Sequence, residues 1–286
     1  MNDLAVGTMR RLTKAGGVEM LSMDLSKPLS EVEKQFVRDK FLEHHILVFR
    51  NQHLSKEEQA AFTEQFGELE SHVVRRHDGS ETPVVHTVSN LDAEGNPSYK
   101  PVTHGNYFWH TDKSYHALPS LATLLHAVEL PEKGGHTQFA NTYMAYEALP
   151  EDKKTEYANL KVIHSWEANR RNTGNRPATE EEKRERPPVT HPLIRTHPET
   201  ARKVLYVGIH TSHIVGRSEE EGRKLLDELT AFAGQEDFVY THEWRPGDLV
   251  MWDNRCLLHR ANANYDMNRE RRILHRTVIK GEDIPH

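Results

Sequence analysis

Two histidines and one aspartate have the side chains and the spacing of a metal site. His110 and Asp112 are two residues apart, so on a β-strand both would lie on one face and could reach one ion. His259 follows a predicted buried strand far downstream and would supply a third ligand. Two imidazoles and one carboxylate on one side of a metal leave further positions open, as in non-haem Fe(II) oxygenases.

The pair of His110 and Asp112 carries little weight by itself. With 20 histidines and 43 acidic residues in 286 residues, chance alone predicts roughly three His-x-acid triplets. A second triplet, His197-Pro198-Glu199, has the composition of a turn. The two aromatic residues before His110, and the distant His259, favour the first triplet.

Two arginines near the end of the chain indicate a site for anions. On a strand predicted over 271–280, Arg272 and Arg276 would lie on one face. Burial of two guanidinium groups is costly without anions, and a planar guanidinium suits a carboxylate or a sulfonate. For Arg276 the alternatives of a solvent-exposed side chain or a structural ion pair stay open. Beside a metal, the pair favours anion binding.

The composition excludes several other functions. The net charge is −6, without the basic excess of most proteins that bind nucleic acids or anionic membranes. No apolar run approaches the ~20 residues of a membrane helix, and residues 1–14 lack the apolar segment of a signal peptide. The single cysteine, Cys256, excludes internal disulfides and Cys-rich zinc or iron–sulfur sites. We therefore expect a cytoplasmic protein without nucleic-acid or membrane partners.

The hydrophobic pattern predicts one domain, residues 1–286, that is mainly β with inserted helices. Helices are predicted after Ser30, Ser55 and Ser218, each followed three residues later by a glutamate, and Gly67 is the predicted end of the second helix. Many short strands favour a sandwich or a jelly roll. Strands are predicted at 45–49, 83–87, 121–128, 137–140, 160–164, 203–207, 237–244, 248–252 and 271–280.

Residues 168–188 contain almost no apolar side chains. A solvated surface loop and a mobile cover over a site explain this composition equally well, because loops this long in a compact domain are often lids or disordered. We predict a lid insertion near 166–190.

Several segments, in the same order along the chain, resemble the Fe(II)- and 2-oxoglutarate-dependent dioxygenases of the TauD/TfdA family. The resemblance runs from about Leu25 to Lys280 and is closest to the herbicide-degrading branch between Arg202 and Arg260. The segments are Gly67-Glu68-Leu69, Trp109-His110-Thr111-Asp112, Gly134-Gly135-His136-Thr137, Arg195-Thr196-His197-Pro198 and Trp252-Asp253-Asn254-Arg255.

The resemblance implies a double-stranded β-helix, the jelly-roll core of cupin-like proteins. It also implies Fe(II) as cofactor, 2-oxoglutarate and O2 as co-substrates, release of succinate and CO2, and a homo-oligomer, either a dimer or a tetramer. The implied roles are Fe(II) binding by His110, Asp112 and His259, 2-oxoglutarate binding by Thr137 and Arg272, and substrate binding by Arg276, His72 and Asn106.

The sequence leaves the substrate open. His72 and His210 combine features of the two branches of the family, so neither branch's substrate carries over directly. We favour a small anionic substrate of the aryloxyalkanoate type, with a sulfonate such as taurine or an alkyl sulfate as the alternative. Outside this chemistry, the alternatives are a zinc hydrolase, since zinc also binds histidine and carboxylate, and a non-catalytic jelly-roll binding protein.

Overall fold

The computed structural model of the chain describes residues 8–70, 84–99 and 105–286. Within these ranges there are fifteen strands and seven α-helices. The strands are β1 (Thr8–Thr13), β2 (Gly16–Leu21), β3 (Ile46–Phe49), β4 (His86–Ser89), β5 (Ala122–Glu129), β6 (Thr137–Asn141), β7 (Lys161–His164), β8 (Val189–Pro192), β9 (Ile194–Thr196), β10 (Lys203–Leu205), β11 (Thr211–Ile214), β12 (Val239–His242), β13 (Leu249–Asp253), β14 (Leu257–Ala261) and β15 (Ile273–Ile279). The helices are α1 (Glu31–His44), α2 (Lys56–Glu64), α3 (Thr142–Glu147), α4 (Glu151–Tyr157), α5 (Trp166–Asn172), α6 (Glu180–Glu185) and α7 (Glu219–Ala233).

The three helices predicted from serine caps begin where the sequence places them. The Ser30 side chain accepts a hydrogen bond from the backbone N–H of Glu33, whose carboxylate accepts one from the Ser30 N–H. Ser55 and Glu58 form the same reciprocal pair at α2, and Ser218 caps α7. Each cap satisfies backbone N–H groups that the first helical turn cannot pair internally.

The prediction that Gly67 ends the second helix is wrong. α2 ends at Glu64, and Gln65 is its C-cap in a right-handed conformation. Gly67 lies instead against β15, where a Cβ atom would come within 2.5 Å of Cγ2 of Ile279. A glycine is needed here for close approach of the chain to that strand.

Each predicted strand is present, with shifts of a few residues at its ends. The predicted strand at 45–49 begins at Ile46 because His45 is the C-cap of α1. Residue 83 lies outside the described residues. The strands that the sequence pattern missed have at most six residues each, and they are β1, β2, β8, β9, β11 and β14.

Two facing groups of strands form a jelly roll. The large sheet has seven strands in the order β1-β2-β3-β13-β5-β15-β4, and three-stranded sheets have the orders β12-β6-β14 and β11-β7-β8. Side chains of β3, β5, β13 and β15 pack against side chains of β6, β12 and β14 in one buried cluster. His259 lies on β14 of the small sheet and Arg276 on β15 of the large sheet. His110 lies outside the named strands in an isolated bridge, and Asp112 lies in the turn that follows, so the strand predicted for these two residues is not present.

Both faces of the large sheet are buried. In β3, Ile46 and Val48 pack toward the small sheet, while Leu47 and Phe49 pack against the helices α1 and α2. Such an unbroken apolar run is expected for a strand covered on two sides. A third cluster packs α7, α3 and α4 on the small strands.

The segment at 166–190 is not a structureless loop. It contains α5 and α6, and the Thr179 side chain caps α6 in a reciprocal pair with Glu182. The scarcity of apolar residues does not prevent helix formation here, because these helices are stabilised mainly by caps and ion pairs.

Candidate metal and co-substrate site

The fold brings His110, Asp112 and His259 together. His110 and His259 form an isolated antiparallel bridge, with backbone hydrogen bonds of 3.1 Å from His110 and 2.7 Å from His259. One ligand atom from each of the three side chains lies within 4.8 Å of the other two, and Nε2 of His259 is 4.0 Å from Oδ1 of Asp112. All three residues are buried. Two nitrogens and one oxygen converge as a facial metal site requires.

Both histidines are prepared to bind a metal as neutral imidazoles. Nδ1 of His110 lies 2.8 Å from the backbone oxygen of Phe108. A proton on Nδ1 satisfies that oxygen and leaves Nε2 as the free lone pair. Burial lowers the pKa of His110, and it lowers the pKa of His259 well below the ordinary value.

The carboxylate of Asp112 is oriented by a residue that sequence analysis missed. The Thr123 hydroxyl donates a 2.5 Å hydrogen bond to Oδ2, so Oδ1 is the oxygen directed at the two imidazoles. The Asn254 amide donates in turn to Thr123 Oγ1 at 2.9 Å. Burial alone would raise the pKa of Asp112, but Arg276 and the two histidines lower it overall. The signal in the sequence was a threonine inside the apolar strand β5.

A second buried cluster, His197, Asp253 and Cys256, also has metal-binding side chains. The polar atoms of His197 and Asp253 already form hydrogen bonds within the protein. Both carboxylate oxygens of Asp253 accept from Arg255, and one also accepts from His197 Nε2 at 3.1 Å. Nδ1 of His197 accepts two backbone N–H groups. This cluster is a structural ion-pair network and leaves His110, Asp112 and His259 as the metal candidates among the described residues.

Arg272 is a buried cation that lies in a narrow cavity next to the metal candidates. Its Nε donates to the backbone oxygen of Gly135 at 2.8 Å. Gly135 has φ +66, and a Cβ there would come within 3.1 Å of Arg272 Cδ, so both the backbone conformation and the close contact favour glycine. Burial lowers the pKa of Arg272, and none of the described residues provides it with a carboxylate. A buried guanidinium without a carboxylate partner is costly, and an anionic ligand would stabilise it.

Thr137 lies beside Arg272 and its hydroxyl has two donors around it. Trp244 Nε1 donates to Thr137 Oγ1 at 3.0 Å, and Arg272 donates at 3.3 Å. A hydroxyl has two acceptor lone pairs and one hydrogen. With both lone pairs used, the hydrogen of Thr137 is free to be donated to a ligand in the same cavity, which Thr137 and Arg272 both line.

A larger cavity of about 450 Å³ opens beside the metal candidates. Arg276 lines it, with NH2 at 3.6 Å from Oδ1 of Asp112. Arg272 immediately precedes β15 and Arg276 lies within it. Both line the narrow cavity, and Arg276 also lines the large one. The cavity is lined by Gly105, Asn106, His110, Asp112, Lys113, Tyr115, Trp166, Asn169, Arg170, Asn175, His210 and Arg276.

Asn106, a predicted substrate contact, lines both cavities, whereas His72 lies outside the described residues. Several lining residues were not predicted. Tyr115, whose pKa burial raises to about 12, contacts Trp166 with ring centroids 5.3 Å apart. The contact between Tyr115 and Trp166 could not be predicted from the sequence, because the two residues are far apart in the chain and only the fold brings α5 to the site.

The jelly roll carries a His-Asp-His centre with open metal positions, and beside it the buried guanidinium of Arg272 has no carboxylate partner among the described residues. This combination defines a non-haem metal oxygenase with an anionic co-substrate. The profile of the family described as "Taurine catabolism dioxygenase TauD, TfdA family" matches residues 8–278. The chain belongs to this family. It is an oxidoreductase that uses Fe(II), with 2-oxoglutarate and O2 as co-substrates, so the zinc-hydrolase and binding-protein alternatives are wrong.

Two relatives and one crystal structure are similar over most of the chain. The alpha-ketoglutarate-dependent 2,4-dichlorophenoxyacetate dioxygenase of Cupriavidus pinatubonensis is 36% identical over 273 residues, covering 93% of this chain and 94% of that protein. The (S)-phenoxypropionate/alpha-ketoglutarate-dioxygenase of Sphingobium herbicidovorans is 34% identical over 251 residues, covering 83% of each. The crystal structure of AAD-2 in complex with Mn(II) and N-oxalylglycine has a TM-score of 0.88 and 35% identity, covering 98% of both chains.

No helix among the described residues has both the length and the apolar composition that crossing a membrane would require.

Proposed function

We propose that this dioxygenase hydroxylates a small aryloxyalkanoate-type carboxylate, with Fe(II) held by His110, Asp112 and His259. The observation that carries the proposal is the position of Arg276, whose guanidinium borders the metal candidates and lines the large cavity. A carboxylate bound there would hold the neighbouring C–H bond close to the metal. The substrates in the names of the two relatives, a dichlorophenoxyacetate and a phenoxypropionate, support this substrate class.

The residues of the chain have distinct proposed roles. When bound, Fe(II) with 2-oxoglutarate and O2 supplies the oxidising chemistry, in which one oxygen atom enters the substrate and the other enters succinate as CO2 is released. Arg272 and Thr137 hold the distal carboxylate of 2-oxoglutarate. Arg276 and Asn106, with His72 as a further candidate, orient the primary substrate. Orientation and exclusion of water are the protein's main contributions to such reactions.

The product of this hydroxylation is unstable. A hydroxyl group on the carbon next to the ether oxygen gives a hemiacetal, which loses a phenol and leaves an oxo acid. The same insertion next to a sulfonate would release sulfite and an aldehyde.

The segment at 166–190 is a proposed lid over this site. Trp166, Asn169, Arg170 and Asn175 all line the large cavity. Closure of such a cover over bound substrate would exclude water from the metal.

The proposal is tested by measuring succinate release from the Fe(II) protein with aryloxyalkanoates, sulfonates and alkyl sulfates. We expect phenoxyacetate or phenoxypropionate to stimulate succinate release and to yield a phenol in equal amount. Stimulation by taurine or an alkyl sulfate alone would contradict the proposed substrate, but not the dioxygenase class.

Two substitutions test whether Arg272 binds 2-oxoglutarate and Arg276 binds the primary substrate. We expect Arg272→Ala to raise the KM for 2-oxoglutarate by about tenfold or more, because a charged hydrogen-bonding partner of its distal carboxylate is lost. Arg276→Ala should mainly raise the KM for the primary substrate. Steady-state kinetics with each co-substrate titrated separately measure both constants, and equal effects of both variants on both constants would contradict the roles.

A location in the cytoplasm and a homo-oligomeric assembly, a dimer or a tetramer, stay predictions. Light scattering of the purified protein measures the assembly.

A further inference from the structure

The large cavity has more positive charge than one monoanionic substrate needs. Lys113, Arg170 and Arg276 line it, and Asp112 is the acidic residue in its lining. Lys113 is neutralised by Glu70, with Nζ 2.9 Å from Oε1 and both side chains largely buried. A metal ion bound by the carboxylate of Asp112 would leave Arg276, whose NH2 lies 3.6 Å from Oδ1, available for a substrate anion. Arg170 then remains as a surplus cation on the α5 wall of the cavity.

Arg170 is oriented rather than free in solvent. It lies four residues after Trp166, so the two side chains share one face of α5, and both line the cavity. Its Nε donates a 2.7 Å hydrogen bond to the backbone oxygen of Arg176, which restricts the orientation of the guanidinium. Among the described residues no carboxylate forms an ion pair with Arg170. The positive charge of Arg170 helps to lower the pKa of Glu182, but that carboxylate is bound by Arg176. The next residue, Arg171, is ion-paired with Glu219 of α7 and does not line the cavity.

A second arginine strengthens the positive field on the same wall. The guanidinium of Arg186 lies over the Trp166 ring, 4.8 Å from its centroid. Within the described part of the chain, Arg186 has no carboxylate partner, and the nearby Glu182 is already paired with Arg176. Low-dielectric walls lined by charge of one sign concentrate ligands of the opposite sign.

We propose that the primary substrate has a second carboxylate, at the end away from the reacting carbon, and that Arg170 binds it. The inference rests on the proposed function, in which Arg276 binds the first carboxylate. Tyr115 and Trp166 line the same cavity and contact each other, and such aromatic side chains suit an aryl ring. The substrate class is therefore an aryl dicarboxylate, such as a carboxyphenoxyalkanoate.

Binding can be measured without turnover on the protein loaded with Mn²⁺ and N-oxalylglycine. Calorimetry compares 4-carboxyphenoxyacetate with 4-carbamoylphenoxyacetate, which has the same size but lacks the second charge. We expect the diacid to bind about tenfold more tightly, from one charge-assisted contact. Arg170→Gln should reduce this ratio to about one, whereas the matched control Arg171→Gln should retain it.

Equal affinity for the two ligands, no binding of either, or an equal loss of the ratio in both variants would overturn the inference. The proposed function is tested separately by succinate release. A binding preference for the diacid without any succinate or phenol formed from aryloxyalkanoates would refute the proposed function and leave the second-anion site standing.

Discussion

The direction of a single hydrogen, that of the Thr137 hydroxyl, is set by its neighbours. Trp244 and Arg272 occupy both of its lone pairs, so the hydroxyl can act only as a donor toward a bound carboxylate. We expect Trp244→Phe to raise the Kd for 2-oxoglutarate about three- to tenfold, because the hydroxyl regains rotational freedom and can turn its lone pair to the ligand. Anaerobic titration of the Fe(II) protein, followed by its visible charge-transfer band, measures this constant.

The matched ligand for this experiment is 2-oxopentanoate, which has the α-oxo acid group but no distal carboxylate. Its affinity should not change in the Trp244→Phe protein. A similar loss of affinity for both oxo acids would show that the tryptophan supports the site only through packing.

The metal candidates could be predicted from the sequence because residue type restricts chemistry strongly. Few types of side chain bind Fe(II). His110, Asp112 and His259 also occur along the chain in the same order as the metal ligands of the family. Thr123 and Trp244 could not be predicted in the same way. Threonine and tryptophan have many ordinary positions in strands, and their roles depend on contacts between segments that only the fold brings together.

At the level of elements, the end of α7 supports the residue before the first metal candidate. Gly234 follows the helix with φ −84, and a Cβ there would lie 2.4 Å from Trp109 Nε1. We expect Gly234→Ala to cost about 1–3 kcal/mol of unfolding free energy by overpacking and to weaken Mn²⁺ binding, because a displaced Trp109 moves His110. Urea unfolding and an Mn²⁺ titration by electron paramagnetic resonance measure the two effects.

Gly222→Ala is the control on the same helix. A Cβ at Gly222 would lie 2.6 Å from the backbone nitrogen of Ile214, far along α7 from Trp109. This variant should also lose stability but should bind Mn²⁺ normally. If both variants bound the metal equally well, or equally poorly, α7 would have no specific role in positioning the site.

The strands of the jelly roll were easier to predict than the lid helices. Buried strands need apolar or β-branched side chains, and β5 and β13 show them plainly. α6 has six residues and none of them is buried, so its sequence is nearly the same as that of a solvated loop. Its caps and ion pairs stabilise it locally, and such features do not give a periodic pattern.

For the whole molecule, buried histidines determine how stability depends on pH. Burial lowers the pKa of His45 to about 4, and it also lowers the pKa of His126, His191 and His242. The unfolded chain binds protons with a pKa near 6.5, so below this pH it takes up more protons than the folded chain. The unfolding free energy should therefore decrease as the pH falls from 6.5 toward 4.

His45→Asn isolates one of these groups. Asparagine tolerates the left-handed backbone of this position, φ 68. Relative to the native protein, the variant should lose about 2 kcal/mol less of its unfolding free energy between pH 7 and pH 5. Urea unfolding of the metal-free protein at both pH values measures the difference, and parallel pH profiles would contradict the prediction.

The backbone bridge between His110 and His259 has a consequence for the order of assembly in the cell. The main chain itself closes the long loop between these two histidines, so the pocket for the ion exists as soon as the polypeptide has folded. The relative position of these two ligands is therefore determined by main-chain hydrogen bonds, so their arrangement should not depend on the bound ion.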